Sequence, residues 1–267
     1  MTGFVGTILE AWDEIRIHRL RVALSLLAIG LAITVMTSAL ALGQQMAQAT
    51  QELSEQQGGR SVTLMVDYSL TDQKNTPKMA EAFMEFVDRN EIEYASRITN
   101  PYGEFSARGG TRLDWVNIQA VDPAYATIHR IEPIRGTWFG GGDAERRAPA
   151  MVVNEALLRA VGVPVDLSVQ PELTMRTYEG SELSFVAIGV VANEGEWDGP
   201  RAYILYDALI RSLPPTETQN FWTQFEMWLG PADAATAQSA LTAELQPLVG
   251  EWGYVNVAPM FGGFGED

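Results

Sequence analysis

Residues 16–45 read "RIHRLRVALSLLAIGLAITVMTSALALGQQ", and this stretch divides the chain into two different parts. The 21 residues from Val22 to Leu42 carry no charge, which at ~1.5 Å per residue gives a helix of roughly 31 Å, the thickness of a bilayer core. Everything after Gln44 is polar and acidic. The stretch predicts one membrane-spanning helix in front of a folded domain.

The charges on the two sides of the apolar run predict its orientation. Arg16, Arg19 and Arg21 precede it, and the first charge after it is Glu52. Because basic flanks stay in the cytoplasm, we expect the N-terminus to be cytoplasmic and the domain to be extracytoplasmic in the cell (inner) membrane. A cleaved export signal remains the alternative, since Ala39-Leu40-Ala41 has a small-x-small cleavage pattern, but the run exceeds the ~7–15 residues of a signal core.

Sequence on both sides of the run extends this prediction. Residues 4–19 have an amphipathic helical pattern, so they are expected to lie along the inner membrane surface with Trp12 at the interface; an incidental N-terminal helix is the other interpretation. After Leu42 good helix formers continue without proline until Gly58-Gly59, which predicts a stalk. Small side chains that suit helix–helix contact are Ala28, Gly30 and Ala32.

The part that follows alternates between strand and helix patterns. "SVTLMVDY" predicts a strand, and Thr76-Pro77 begins a helix whose apolar face is Met79, Phe83, Phe86 and Val87. A second β-α-β unit is predicted near the C-terminus. The expected fold is α+β, with two β-α-β units and a β-rich insertion at roughly 130–220. The predicted divisions are 1–19 for the interfacial helix, 20–58 for the membrane helix and stalk, and 59–260 for the extracytoplasmic domain.

Composition argues against most kinds of catalytic or nucleic-acid-binding site. The 267 residues carry a net charge of −16, all of it beyond Gln44, so the domain would repel nucleic acid. There is no cysteine, no G-x-S-x-G sequence and no phosphate-loop lysine after "FGGGD". His129, near Asp122 and Ser106, is interpreted as a structural histidine, although sequence alone leaves a Ser–His–Asp arrangement open. We therefore expect a non-catalytic chain without cofactor or metal.

Several weak motifs occur in an order that resembles one known family. "AWDEIRIHRLRVALSLLAIGLAITVMTSALALGQQM" is similar to the N-terminal segment of MacB-type ABC transporter permeases. "VNIQAVDPAYATIHRIEPIRGTWFGGGD" resembles the outer domain of the family, with Ala120 at a usual glycine and Gly136-Thr137-Trp138-Phe139 at the place of Gly-Arg-x-Phe. "FVAIGVVANEGEWDGPRAYILYDAL" resembles the strands that follow, with Tyr206 where proline is usual.

The resemblance implies a role in transport. Its permeases bind a separate or fused ATPase, and nucleotide-driven movement passes through the first helix to the outer domain, which expels or extracts substrate. The implied partners are an ABC ATPase subunit, a second permease copy or homologue, membrane lipid, and an extracytoplasmic adaptor or substrate protein. This chain lacks the three later FtsX-like membrane helices, so it is expected to be an N-terminal part or a single-span relative. The alternative is a single-span scaffold that regulates a partner such as a cell-wall hydrolase.

Overall fold

The computed structural model describes most of the chain. The described residues are 19–58, 60, 62–107, 112–113, 115–140, 142–146, 148–168, 170–193, 195, 198–219 and 221–260. The chain divides into two compact units, Met1–Leu53 and Ser54–Asp267. The predicted interfacial helix at residues 4–19, with Trp12 and Arg16, falls outside the described part except for its last residue.

The apolar stretch is the middle of one long helix. Helix α1 covers Arg19–Gly58, 40 residues or ~60 Å, so the predicted continuation beyond Leu42 is confirmed. Within it Ala23–Thr50 is long and apolar enough to cross a membrane, by length and composition. The hydroxyls of Ser25, Thr34 and Thr37 donate to carbonyls of the preceding turn at 3.0, 2.8 and 2.9 Å, which satisfies them inside the helix.

The second unit contains both helices and strands. Its helices are α2 Thr76–Arg89, α3 Tyr125–Ile128, α4 Glu155–Ala160, α5 Tyr206–Ser212, α6 Pro215–Thr218 and α7 Pro231–Leu245. Its strands are β1 Thr63–Ser69, β2 Tyr94–Thr99, β3 Gly103–Ala107, β4 Arg112–Leu113, β5 Asn117–Val121, β6 Pro133–Gly136, β7 Ala150–Asn154, β8 Glu172–Thr177, β9 Glu182–Val191, β10 Arg201–Leu205, β11 Thr223–Trp228 and β12 Tyr254–Pro259. The expected α+β class, with an apolar helix before a sheet-rich domain, is confirmed.

The two predicted β-α-β units form one four-stranded antiparallel sheet. Its order is β12-β1-β11-β2, so the strands of the second unit lie beside and between those of the first, as in a ferredoxin-like unit. Helices α2 and α7 supply buried side chains to one core with these strands, and Phe83 stacks on Phe225 with ring centroids 4.9 Å apart. The predicted apolar face of α2 is buried, which confirms that prediction.

The strands that lie between β2 and β11 in the sequence extend the same sheet. Their order is β5-β10-β7-β9-β8-β3-β4, and β6 pairs with β9. Phe105, Leu173 and Phe185 are fully buried in the core that they enclose. These strands include β3, which begins at Gly103 and pairs with β8. The insertion predicted from the sequence was roughly 130–220. The chain thus leaves the four-stranded part after Thr99 and returns at Thr223.

The outer edge of the sheet at β12 is partly closed to further pairing. The amide of Met260 donates to the carbonyl of Thr63 at 3.1 Å, so by antiparallel alternation the peptide groups of Val255 and Val257 point away from β1. The side-chain amide of Gln238 donates to the Val257 carbonyl at 2.6 Å, and Pro259 has no N–H. Such devices protect edge strands against unwanted association.

Candidate functional site: the junction behind the long helix

Arg60 lies in the short connection between α1 and β1 and is fastened to a distant part of the chain. Its amide donates to the carbonyl of Ile128 at 2.9 Å, and its Nε donates to the carbonyl of Thr127 at 2.8 Å. Both acceptors belong to α3, 67 and 68 positions further along the chain. The connection is therefore tied to α3 by backbone and side chain together.

The same arginine also contacts the four-stranded part of the sheet. Its guanidinium lies over the ring of Trp228, 4.7 Å from the centroid, and Trp228 is the register partner of Thr63. Thr63 closes the turn, since its amide and hydroxyl donate to the Arg60 carbonyl at 3.0 and 2.6 Å. A cation above an indole face is attracted by the negative potential of the ring. Arg60 thus connects α3 with β11 at the start of β1.

A buried polar pair makes a second connection between α3 and β11. The Nε2 atom of His129 lies 3.0 Å from both carboxylate oxygens of Glu226, and the two residues are 3% and 0% exposed. The ring of Tyr125 stacks on the imidazole, with centroids 4.1 Å apart. Because a buried carboxylate is costly without a partner, His129 and Glu226 stabilise each other in this position.

We call the group formed by Arg60, Thr127, Ile128, His129, Glu226 and Trp228 the Arg60 junction. It holds Arg60 against α3, which follows β5, and against β11, a strand of the four-stranded part of the sheet. His129 contacts Glu226 and Tyr125 rather than forming a triad with Ser106 and Asp122. Among the described residues no group of three or more His, Asp or Glu is placed to hold a metal ion. The hydrogen bonds and ring contacts of these residues therefore join three segments of the domain.

A cluster around Arg97 joins β2, α5 and Asp122, the residue that follows β5. The Nε and Nη2 atoms of Arg97 donate to the carboxylate of Asp122 at 2.8 and 2.6 Å, and Nη2 also donates to Asp207 at 2.8 Å. Tyr206 lies under the guanidinium, 4.3 Å away. Burial opposes the charge of Arg97, but the hydrogen bonds and charge of Asp122, followed by Asp207, raise its pKa above the ordinary value. The cation stays charged and paired.

The residues predicted from sequence lie elsewhere. Arg19 begins α1, and Arg21, Ala28, Gly30 and Ala32 lie along it with exposed side chains where these are described. None of these five belongs to the Arg60 junction, and their roles in topology and helix packing stay predictions. Apart from His129, which was interpreted as structural, the junction residues were missed, although two signals existed. Glu226 interrupts the apolar strand "TQFEMWLG", and Arg60 follows the Gly58-Gly59 helix stop.

Two of the solved structures that are similar to this chain are domains of transporters. The periplasmic region of MacB from Actinobacillus actinomycetemcomitans is 13% identical, with a TM-score of 0.56, covering 76% of this chain and 92% of that one. The extracellular domain of the noncanonic ABC-type transporter YknZ from Gram-positive bacteria is 12% identical, with a TM-score of 0.54, covering 72% and 98%. The fold is thus that of these extracytoplasmic transporter domains.

A family assignment follows from the sequence match. The family described as MacB-like periplasmic core domain matches residues 22–244, most of the chain including α1 from Val22. The chain therefore belongs to the MacB-like periplasmic core domain family, and the resemblance inferred from its motifs is confirmed. No curated protein sequence is significantly similar to it.

Buried tyrosines around the site predict how the domain responds to alkali. Burial raises the pKa of Tyr125 well above the usual 10, helped by Tyr203 and Glu226, and burial also raises the pKa of Tyr206. In the unfolded chain these phenols ionise near pH ~10. The stability they contribute is fully present below that pH and is lost as pH rises toward their folded pKa values.

Titration of the intact chain in detergent tests this expectation. Absorbance of tyrosinate should rise in two steps, exposed phenols first and buried ones together with loss of the circular dichroism signal. Ionisation of all eight tyrosines near pH ~10 in a folded protein would contradict the burial of Tyr125 and Tyr206.

Proposed function

We propose that this chain is a membrane subunit, or the N-terminal part, of an ABC transporter permease. In this proposal a separate ATPase hydrolyses ATP, and the chain passes the resulting movement to its outer domain, which exports or extracts a substrate outside the cytoplasm. The observation that supports it most is the Arg60 junction, which fastens Arg60, the second residue after a 40-residue helix, to two separate segments of the domain.

The proposed movement follows the covalent and hydrogen-bonded route. A hydrogen-bonded helix resists bending and stretching over its length, so a displacement at its membrane end reaches Gly58 with little loss. Arg60 lies two residues after Gly58, so a displacement of Arg60 acts on the α3 carbonyls and on Trp228 in β11. The His129–Glu226 pair holds α3 and β11 together, so both are expected to move as one.

Partners in this proposal follow from the family. They are the ABC ATPase subunit, a second permease copy or homologue, the surrounding lipid, and an extracytoplasmic adaptor or substrate protein. The chain itself takes no catalytic step in this account. Helix contacts between permease copies would use the small residues Ala28, Gly30 and Ala32, which leave room for close approach on α1.

The orientation of the helix gives the first test. Changing Arg16, Arg19 and Arg21 together to glutamate removes the basic flank that retains the N-terminus in the cytoplasm. We expect impaired or inverted insertion, measured as altered accessibility of the outer domain to protease added from outside. Lysine at the same three positions keeps the charge and should leave accessibility as it is. Unchanged accessibility in the glutamate variant would contradict the proposed topology.

Arg60 gives the test of transmission. Arg60→Ala removes the Nε hydrogen bond to Thr127 and the contact with Trp228, while the backbone bond to Ile128 can remain. In the complex purified with its ATPase, trapping with ATP and vanadate is expected to change hydrogen exchange in residues 125–131 of the wild type. In Arg60→Ala this change should fall to less than half.

A matched control separates transmission from loss of charge. Arg135 is exposed on β6, where its guanidinium donates to the neighbouring Ile134 carbonyl at 2.9 Å. Arg135→Ala should keep the full ATP-dependent change in exchange. If Arg60→Ala keeps it too, the junction does not carry the movement.

A further inference from the structure

Two parts of the outer domain have separate apolar cores. The four-stranded part, with helices α2 and α7, has a core that contains no residue between Thr99 and Thr223. The inserted part, residues 103–219, contains two further cores, and Ile98 is the only described residue of the four-stranded part that belongs to either of them. The two parts are therefore stabilised mainly by separate sets of apolar contacts.

The backbone joins the two parts through a short ladder between β2 and β5. Strand β2 pairs with β11 over six residues but with β5 over only two, Ile98 with Val121 and Thr99 with Ala120. Thr99 and Val121 are the last residues of their strands. Because hinges in proteins consist of a few residues at the ends of such elements, this ladder is suited to act as one.

Helix α5 of the inserted part is fastened to the four-stranded part by polar side chains. Asp207 accepts a hydrogen bond from Arg97 at 2.8 Å, and the ring of Tyr206 lies 4.3 Å under the same guanidinium. The Tyr206 hydroxyl is 3.4 Å from the hydroxyl of Thr223. We call these four residues the α5 latch. The Asp207 side chain is 54% exposed in this contact, so water can replace Arg97 at small net cost.

Other contacts between the two parts lie beside the ladder. The amide and the guanidinium of Arg97 donate to Asp122, the residue after β5, and the two side chains are 13% and 12% exposed. The Asp122 amide donates to the Ser96 hydroxyl at 3.1 Å. The Arg60 junction likewise holds α3 against β11. These contacts can stay in place while α5 moves.

We propose that the inserted part swings relative to the four-stranded part about the β2–β5 ladder, and that the α5 latch holds the closed arrangement seen in the structure. In the open arrangement α5 leaves Arg97 and Thr223, whereas Arg97 keeps Asp122 and α3 keeps its contacts at the Arg60 junction. Polar contacts between parts with separate cores permit such movement, because little shared apolar surface has to be exposed. The proposal concerns the domain itself and does not depend on transport.

Distances between two spin labels on the intact chain in detergent test this movement. The chain has no cysteine, so Lys78→Cys on α2 and Glu179→Cys between β8 and β9 provide the only attachment points. A second pair combines Asp88→Cys, at the other end of α2, with Glu179→Cys, because a single distance can stay constant during a rotation. All three side chains are exposed. Labelled chain is diluted with unlabelled chain, so that the distances arise within one molecule.

Asp207→Lys opens the latch by placing a positive charge against Arg97. Like charges repel at this distance, and the exposed position accommodates a lysine side chain. With the wild-type latch we expect one narrow distance for each label pair. In Asp207→Lys we expect a second, separate population for at least one pair. If this variant fails to fold, Asp207→Asn removes the charge at nearly constant size and carries the same expectation.

Glu155→Lys is the matched control. Glu155 is also an acidic residue in the first turn of a short helix and is paired with an arginine, Arg159, but both belong to the inserted part. The variant should keep the single distances. Circular dichroism and the unfolding temperature show for each variant that the chain is folded.

The distances decide the proposal. A second population that appears with the change of Asp207 and not with Glu155→Lys would establish the movement and the latch. Unchanged single distances in a folded Asp207 variant would overturn both. Two populations with the wild-type latch, or a second population in Glu155→Lys as well, would overturn the role of the latch.

Discussion

His129→Leu is expected to lower the free energy of unfolding by about 1–3 kcal/mol, the cost of leaving a buried acceptor without its hydrogen-bond partner. The variant leaves the Glu226 carboxylate 0% exposed and without the imidazole 3.0 Å away. It also removes the ring that stacks on Tyr125. Urea unfolding of the intact chain in detergent, followed by circular dichroism, measures the loss.

The double variant separates burial of charge from loss of packing. With Glu226 also changed to leucine no polar side chain is left at this position, and replacing a buried pair by apolar side chains of similar size is often neutral or stabilising. The double variant should therefore be more stable than His129→Leu alone. If the single variant loses less than about 1 kcal/mol, the pair is not the connection between α3 and β11 that we describe.

Gly136→Ala is also expected to lower the free energy of unfolding, in this case for a steric reason. Gly136 has φ +68, and a Cβ on it would lie 2.0 Å from the carbonyl oxygen of Ile188 in β9. A left-handed alanine costs about 1–2 kcal/mol by itself, and separating β6 from β9 adds to that cost. We expect a total loss of at least about 3 kcal/mol or failure to fold, seen by urea unfolding.

Gly142 provides the matched control for this substitution. It also has a positive φ, +87, but a Cβ on it would meet no atom within 4 Å. Gly142→Ala should therefore show only the conformational cost of about 1–2 kcal/mol. Equal losses for the two alanine variants would mean that β6 does not approach β9 as closely as the structure has it.

Local patterns were sufficient to predict the long helix and the helical faces. An apolar run without charge or proline identifies α1 because its stability in a bilayer depends on its own side chains. The face of α2 follows from the 3.6-residue period, and Met79, Phe83 and Phe86 are buried accordingly. The two β-α-β units were recognised in the same way, from alternation followed by a helix.

Contacts between distant segments could not be predicted from such patterns. His129 and Glu226 are 97 positions apart, and the sequence around either residue does not indicate a contact with the other. Asp122 was placed beside His129 because the two are close in sequence, yet its carboxylate binds Arg97 in β2. The pairing of β3 with β8 likewise joins strands about 70 residues apart, which no local pattern indicates.

One motif of the resemblance to MacB-type permeases coincides with a segment that makes such long-range contacts. Its "VDPAYATIH" motif covers the end of β5 and all of α3, where Asp122 holds Arg97 and Tyr125 stacks on His129. The motif therefore has a structural explanation in this chain, because its residues build the segment to which Arg60 is fastened.

Affinity purification of the native protein from solubilised membranes, with mass spectrometry of the chains that accompany it, tests the central claim most directly. We expect an ABC ATPase in stoichiometric amount, retained by the wild type and by Arg60→Ala, because that change affects transmission and not assembly. Purification without any ATPase, and with a wall-modifying enzyme in its place, would contradict the account and favour a scaffold that regulates that enzyme.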